Sequence, residues 1–135
     1  MTRPVSSLLQ ALATFQPHES WAELDDLLAE LWEHSPPQEA LVSLFRFLER
    51  FPTDDSAGVL MGLVHGIETY PSYEHEMVDS LRRQPTEMTL VLLRRLANTG
   101  QSTVAQFPIS DLYREIQVHP SAPPEVHQLA HDFLQ

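Results

Sequence analysis

A chain of 135 residues with 42% hydrophobic content is long enough to bury a core and too apolar to remain disordered. It has no cysteine, which excludes disulfides, thiolate catalysis and thiolate metal sites. Nineteen acids against eight bases, every base an arginine, give a net charge of −11. That balance argues against nucleic acid, which needs a basic footprint, and suits either solubility or a basic protein partner.

Proline divides the chain into short helical segments. Pro4 opens one in which Val5, Leu8, Leu9, Leu12 and Phe15 recur at helical spacing, and Pro17 and His18 end it. Met1 leads into this amphipathic segment without a long apolar run, so neither a signal peptide nor a membrane span is expected, and the cytoplasm is the expected compartment. Ser20 and Glu23 form a capping box for a second helix. Its apolar face is Trp21, Leu24, Leu27, Leu28, Leu31 and Trp32, with Glu23, Asp25, Asp26, Glu30 and Glu33 opposite. In Ser35-Pro36-Pro37-Gln38 the serine reads as N-cap and Pro36 as the first residue of a third helix. That helix places Ala40, Leu41, Leu44, Phe45, Phe47, Leu48 and Phe51 inward.

The fourth segment organises the chain. After Asp54, Asp55 and Ser56, all good N-cap residues, no charged side chain occurs until Glu68. Val59, Leu60, Leu63, Val64 and Ile67 cover one broad face, and Gly58, Gly62 and Gly66 line a neighbouring strip. Glycine in a helix interior costs about 1 kcal/mol against alanine, so a closely crossing neighbouring backbone is expected along that strip. The apolar run is too short to span a bilayer, and a buried helix is expected.

Tyr70-Pro71 stops this helix, because the residue before proline resists the helical region. Ser72 is expected to cap a fifth helix with Tyr73, Met77, Val78 and Leu81 inside and His75, Glu76, Asp79, Arg82 and Arg83 outside. Pro85 and Thr86 start a sixth, carrying Met88, Leu90, Val91, Leu92, Leu93 and Leu96, with Gly100 as its stop. Residues 101–107 read as a loop. A seventh helix spans roughly 108–119, with Ile109, Leu112, Tyr113 and Ile116, and Val126, Leu129, Ala130, Phe133 and Leu134 form the last. No segment alternates with period two. The pattern predicts an all-α protein, one helical domain over residues 1–135. Its eight short helices either stack as antiparallel hairpins in HEAT-like fashion or form a compact bundle.

Few residues suggest chemistry. His127 and His131 sit one turn apart, a spacing that can bind zinc, but Gln128 replaces the glutamate a metalloprotease would use and a third ligand such as His119 would have to fold back. Two surface histidines is the plainer reading. His65 reads as a hydrogen-bonded structural histidine. With no nucleophile motif and no phosphate-cradling loop, no catalytic residue, metal or cofactor is expected.

The acids speak more by position. No base lies between Arg3 and Arg46, where seven acids do, and none lies between Arg50 and Arg82. The candidate partner-binding residues are therefore Asp54, Asp55, Glu68, Tyr70, Tyr73, Glu74, Glu76 and Asp79, where carboxylates meet two tyrosines at a helix turn. The competitor is the acidic face of the second helix.

The stretch 51–100 also resembles a known family, the all-helical immunity proteins encoded beside bacterial polymorphic toxins, including those of contact-dependent growth inhibition. The resemblance rests on Phe51-Pro52, Asp54-Asp55, the glycine-bearing helix ending in Ile67-Glu68, and Tyr73-Glu74. It continues through Ser80-Leu81-Arg82-Arg83 before Pro85 and Leu93-Arg94-Arg95-Leu96 before Gly100. It implies an antitoxin that binds one cognate toxin domain as a monomer in a 1:1 complex, and it carries no catalytic residue over. A basic nuclease is the expected target, because a cleft that grips phosphates is positive. The alternative is a helical-repeat scaffold or adaptor for a peptide or protein partner; neither reading involves nucleic acid or a membrane.

Overall fold

Apolar residues at three- and four-residue spacing form helices throughout, and proline or glycine separates them. The computed structural model describes residues 3–17, 20–53, 56 and 58–135. Among these are eight α-helices: α1 (Val5–Thr14), α2 (Ala22–Glu33), α3 (Ala40–Glu49), α4 (Val59–Glu68), α5 (Glu74–Arg83), α6 (Glu87–Ala97), α7 (Ile109–Gln117) and α8 (Pro124–Leu134). Successive helices pair as four hairpins, α1 with α2 through α7 with α8. Between hairpins, α1, α3 and α5 touch in one layer, while α2, α4, α6 and α8 touch in sequence in the other. The protein is thus all-α, and its hairpins stack in two layers, each burying its apolar faces on its neighbours.

The stack changes character between α5 and α7. Residues expected to form a loop instead make an antiparallel ribbon, β1 (Thr103–Val104) with β2 (Phe107–Pro108), β1 lying against α5 and β2 against α7. Its two-residue turn puts Ala105 at φ +47° and Gln106 at φ +74°. Such turns are usually signalled by Asn-Gly, so the sequence gives no warning here. Burial of Val104 anchors the ribbon and helps offset the left-handed backbone.

Three helix starts differ from expectation. Ser20 Oγ accepts from the Ala22 amide at 3.0 Å rather than from Glu23, so the capping box does not close. Ser35 takes φ +45° and α3 begins only at Ala40, because two successive prolines hold the preceding backbone out of the helical region. At α5 the cap position falls on Tyr73, not Ser72. Thr86 caps α6, its Oγ1 accepting from the Thr89 amide at 3.0 Å; at α4 the cap position falls on Gly58, and Ser56 Oγ, two residues earlier, accepts from the Leu60 amide at 3.0 Å.

Polar groups tie the hairpins together. Arg50 donates to the carbonyls of Leu12 at 3.3 Å, Ala13 at 3.0 Å and Phe15 at 2.6 Å, satisfying the open end of α1. Its guanidinium also lies over Phe51, within an aromatic cluster in which Trp21 meets Phe51 at 5.0 Å and Phe15 meets Phe47 at 5.9 Å. Glu49 on α3 accepts two bonds from Arg83, at 3.0 and 2.7 Å, and one from the buried Ser80 hydroxyl at 2.7 Å, fixing α3 to α5.

The three glycines of α4 serve three purposes, and the expected close backbone crossing is absent. Gly58 precedes the helix at φ +96°, a conformation that other residues adopt at a cost. Gly66 is covered by the Trp32 indole, whose Cζ2 would lie 2.1 Å from a Cβ built there. Gly62 has nothing within 4 Å of such a Cβ. Gly66→Ala is therefore expected to displace the indole and destabilise by about 1–3 kcal/mol. Gly62→Ala should stabilise by up to about 1 kcal/mol through helix propensity. Thermal unfolding of both variants checks this; equal melting would refute the placement of Trp32.

Candidate functional site

The open side of Gly62 belongs to a groove of about 790 Å³ between α2 and α4. From α2 come Asp25, Leu28, Ala29 and Trp32, and from α4 come Gly62, His65, Gly66 and Thr69. Both sets follow the spacing i, i+3, i+4, i+7, so two straight stripes face each other across the groove. Ser35 and Pro36 from the turn after α2 and Tyr70 and Pro71 from the turn after α4 complete the lining. The walls are mostly apolar, while Asp25, Ala29 and His65 are exposed. His65 is thus a groove residue and not the hydrogen-bonded core histidine expected from its helix.

Tyr70 is the polar group of most interest in the lining. It is only 9% exposed, and its hydroxyl has no hydrogen-bond partner among the described residues. An unpaired buried hydroxyl costs about 1–3 kcal/mol, which the apolar packing around the ring must offset.

The other sequence-predicted site residues scatter around this turn. Asp54 and Asp55 lie outside the described residues. Glu68 is half-buried and faces α6, where its carboxylate accepts from Arg95 at 2.8 Å, so it is not unopposed. Glu74 accepts from Gln101 Nε2 at 2.8 Å. Tyr73 is half-buried; burial, then the carboxylates of Glu68 and Glu74, push its phenol up, with Arg95 opposing. Glu76 is half-buried and Asp79 exposed on α5, and neither makes an ion pair among the described residues. Arg82 and Arg83, on the same helix, reach instead to Glu115 at 3.4 Å and Glu49 at 2.7 Å. The structure therefore pairs Glu68 with Arg95, keeps Glu68 and Glu74 beside Tyr73, and places Tyr70 in the groove lining.

The arginines explain why the surface stays negative. Arg3 pairs with Glu30 at 3.0 Å, Arg46 with Glu49 at 3.5 Å and Arg114 with Asp111 at 3.0 Å. Arg94 donates to the Phe133 carbonyl at 3.0 Å. Together with Arg50, Arg82, Arg83 and Arg95, all eight bases are engaged within the chain. Beside Arg3, the Glu30 carboxyl is held below the usual carboxylate range. By contrast, Glu23, Asp25, Asp26, Glu33 and Glu39 are exposed and make no ion pair among the described residues.

On α8, His127 Nε2 donates to the His119 carbonyl at 2.8 Å, across the turn between α7 and α8, and His119 Nε2 donates to the Arg82 carbonyl at 2.7 Å, tying that turn to α5. No group of three or more potential metal-ligating side chains occurs among the described residues. No helix among them is long and apolar enough to cross a membrane.

The groove was hidden in the sequence because Trp32 reads as core and Gly62 as a packing surface. The matching stripes on the two helices were the signal. No family model, curated protein or solved structure matches the chain.

Burial raises the phenols of Tyr70 and Tyr113, as it does that of Tyr73. Because the folded values lie above the ordinary value of about 10, their contribution to stability is complete below that pH and is lost as pH rises through the raised values. An ultraviolet titration of the native protein should show all three tyrosines ionising above about pH 10, coupled to unfolding. Free ionisation near pH 10 in a folded chain would contradict their burial.

Proposed function

We propose that this chain is an immunity protein that binds a basic toxin domain, most plausibly a nuclease, and blocks its active cleft. The observation that carries the reading is the engagement of every arginine inside the fold. The charged side chains left without an ion pair among the described residues include the carboxylates Glu23, Asp25, Asp26 and Glu33 on α2 and Glu76 and Asp79 on α5. A phosphate-gripping cleft offers the complementary charge, and such complementarity speeds encounter and selects partners. The resemblance of residues 51–100 to toxin-associated immunity proteins supports the same reading.

The proposed contact surface centres on the α4–α5 turn. Tyr70 and Pro71 face the groove there, while Tyr73, Glu74, Glu76 and Asp79 continue along α5. An inhibitor of ordinary interface size can be tight when charge and shape match. In this role the chain acts in the bacterial cytoplasm as one half of a 1:1 complex, without cofactor or catalytic group.

A second reading, a scaffold or adaptor for a protein partner, draws support from the stacked hairpins, since such stacks present extended surfaces. Gene neighbourhood separates the two: a secreted protein with a variable toxin end encoded directly upstream supports the antitoxin.

Co-expression of that toxin end with this chain should restore growth that the toxin alone abolishes. Between low salt and several hundred millimolar, the association rate of the purified pair should fall at least about tenfold, with a smaller change in dissociation. No rescue would sink the antitoxin reading, and a salt-independent association rate would remove the charge argument behind it.

A further inference from the structure

We propose that the groove between α2 and α4 seats a cationic amphipathic helix of a protein partner, its apolar side against Trp32 and Gly62 and its cations against the α2 rim. This deepens the reading of the chain as a binder of basic proteins and rests on it.

Shape comes first. A groove bounded by two parallel-running stripes accepts a helix as a third element, with anchors at the same i, i+3, i+4, i+7 spacing. The 12 residues of α2 rise about 18 Å, which matches a guest helix of roughly three turns. At the α4 wall the missing side chain of Gly62 leaves room for a large apolar anchor, because nothing lies within 4 Å of its Cβ position. The Trp32 indole, seated on Gly66, supplies an aromatic floor.

Chemistry then selects the occupant. The Tyr70 side chain lies in the lining and adds apolar surface for the guest, its hydroxyl buried away from the groove. Asp25 stands at the rim and Glu33 is exposed two turns further along the same helix, while Asp26 faces the α1 side. A second copy of this chain would bring those carboxylates against their own kind, with every arginine already engaged elsewhere. An anionic lipid surface is disfavoured for the same reason. A helix carrying lysine or arginine beside its apolar stripe matches both the apolar lining and the Asp25 carboxylate.

The test uses the full chain and a synthetic peptide of roughly 14 residues, leucine and lysine only, with leucine at helical spacing. A scrambled peptide of the same composition lacks the apolar stripe. By fluorescence anisotropy at physiological salt, the amphipathic peptide should bind at least about tenfold more tightly than the scrambled one. Gly62→Leu, which fills the groove without changing charge, should weaken it by at least about tenfold. Ala29→Arg alters only an exposed position on the rim, and should do the same if Gly62→Leu perturbs folding. Equal binding of the two peptides, or binding indifferent to both substitutions, overturns the proposal. So does concentration-dependent self-association in sedimentation that Gly62→Leu abolishes, which would make a second copy the occupant. Growth rescue by co-expression is a separate measurement, so failure of the antitoxin reading leaves the peptide result standing, and the reverse.

Discussion

The contact between Trp32 and Gly66 sets the distance between α2 and α4, and much else depends on it. Any Cβ at position 66 would meet the indole at 2.1 Å, well inside van der Waals contact. With hydrogen there, the ring lies directly on the α4 backbone and the two helices of neighbouring hairpins can touch. Because α4 also contacts α6 in the same layer, this separation is passed along the stack. The same contact shapes the groove. The indole reaches across to Gly66, and the space over Gly62, one turn earlier, is left unfilled. A packing constraint and a cavity are thus two sides of one arrangement.

Charge follows a comparable logic. Exposed ion pairs are worth little individually, yet collectively they decide which sign the surface shows. Arg83 and Arg50 hold hairpins together, and Arg95 draws Glu68 toward α6. Apart from Glu30, which meets Arg3, the α2 carboxylates are left without an ion pair among the described residues, and one of them, Asp25, stands beside the apolar groove. An aromatic floor with an acidic rim differs from a merely solvated acidic face, because it offers a partner both desolvation and charge.

The helices were legible because apolar spacing and proline agree almost everywhere. Leu8, Leu12, Leu24, Leu28, Leu41, Leu44, Leu60 and Leu63 are all buried as their periodicity requires. Pairing of hairpins into layers was legible only as one of two options, since spacing gives helix length and not neighbour choice. The ribbon at 103–108 escaped because its turn uses Ala105 and Gln106 in a conformation those residues do not advertise. For the site, the sequence pointed to the α4–α5 turn by composition. It could not show that Glu68 meets Arg95, 27 positions away, or that Tyr70 turns into a groove. Glycine spacing was read correctly as informative and wrongly as uniform: one glycine admits a ring, one opens a space, and one turns the chain.

The two tryptophans give the most direct test. Trp32 lines the groove, whereas Trp21 sits in the aromatic cluster with Phe15 and Phe51. In a nitrogen–proton correlation spectrum each indole N–H gives its own signal. Adding the leucine–lysine amphipathic peptide should move the Trp32 indole signal and leave that of Trp21 in place. A complex that forms while the Trp32 signal stays fixed would contradict the account.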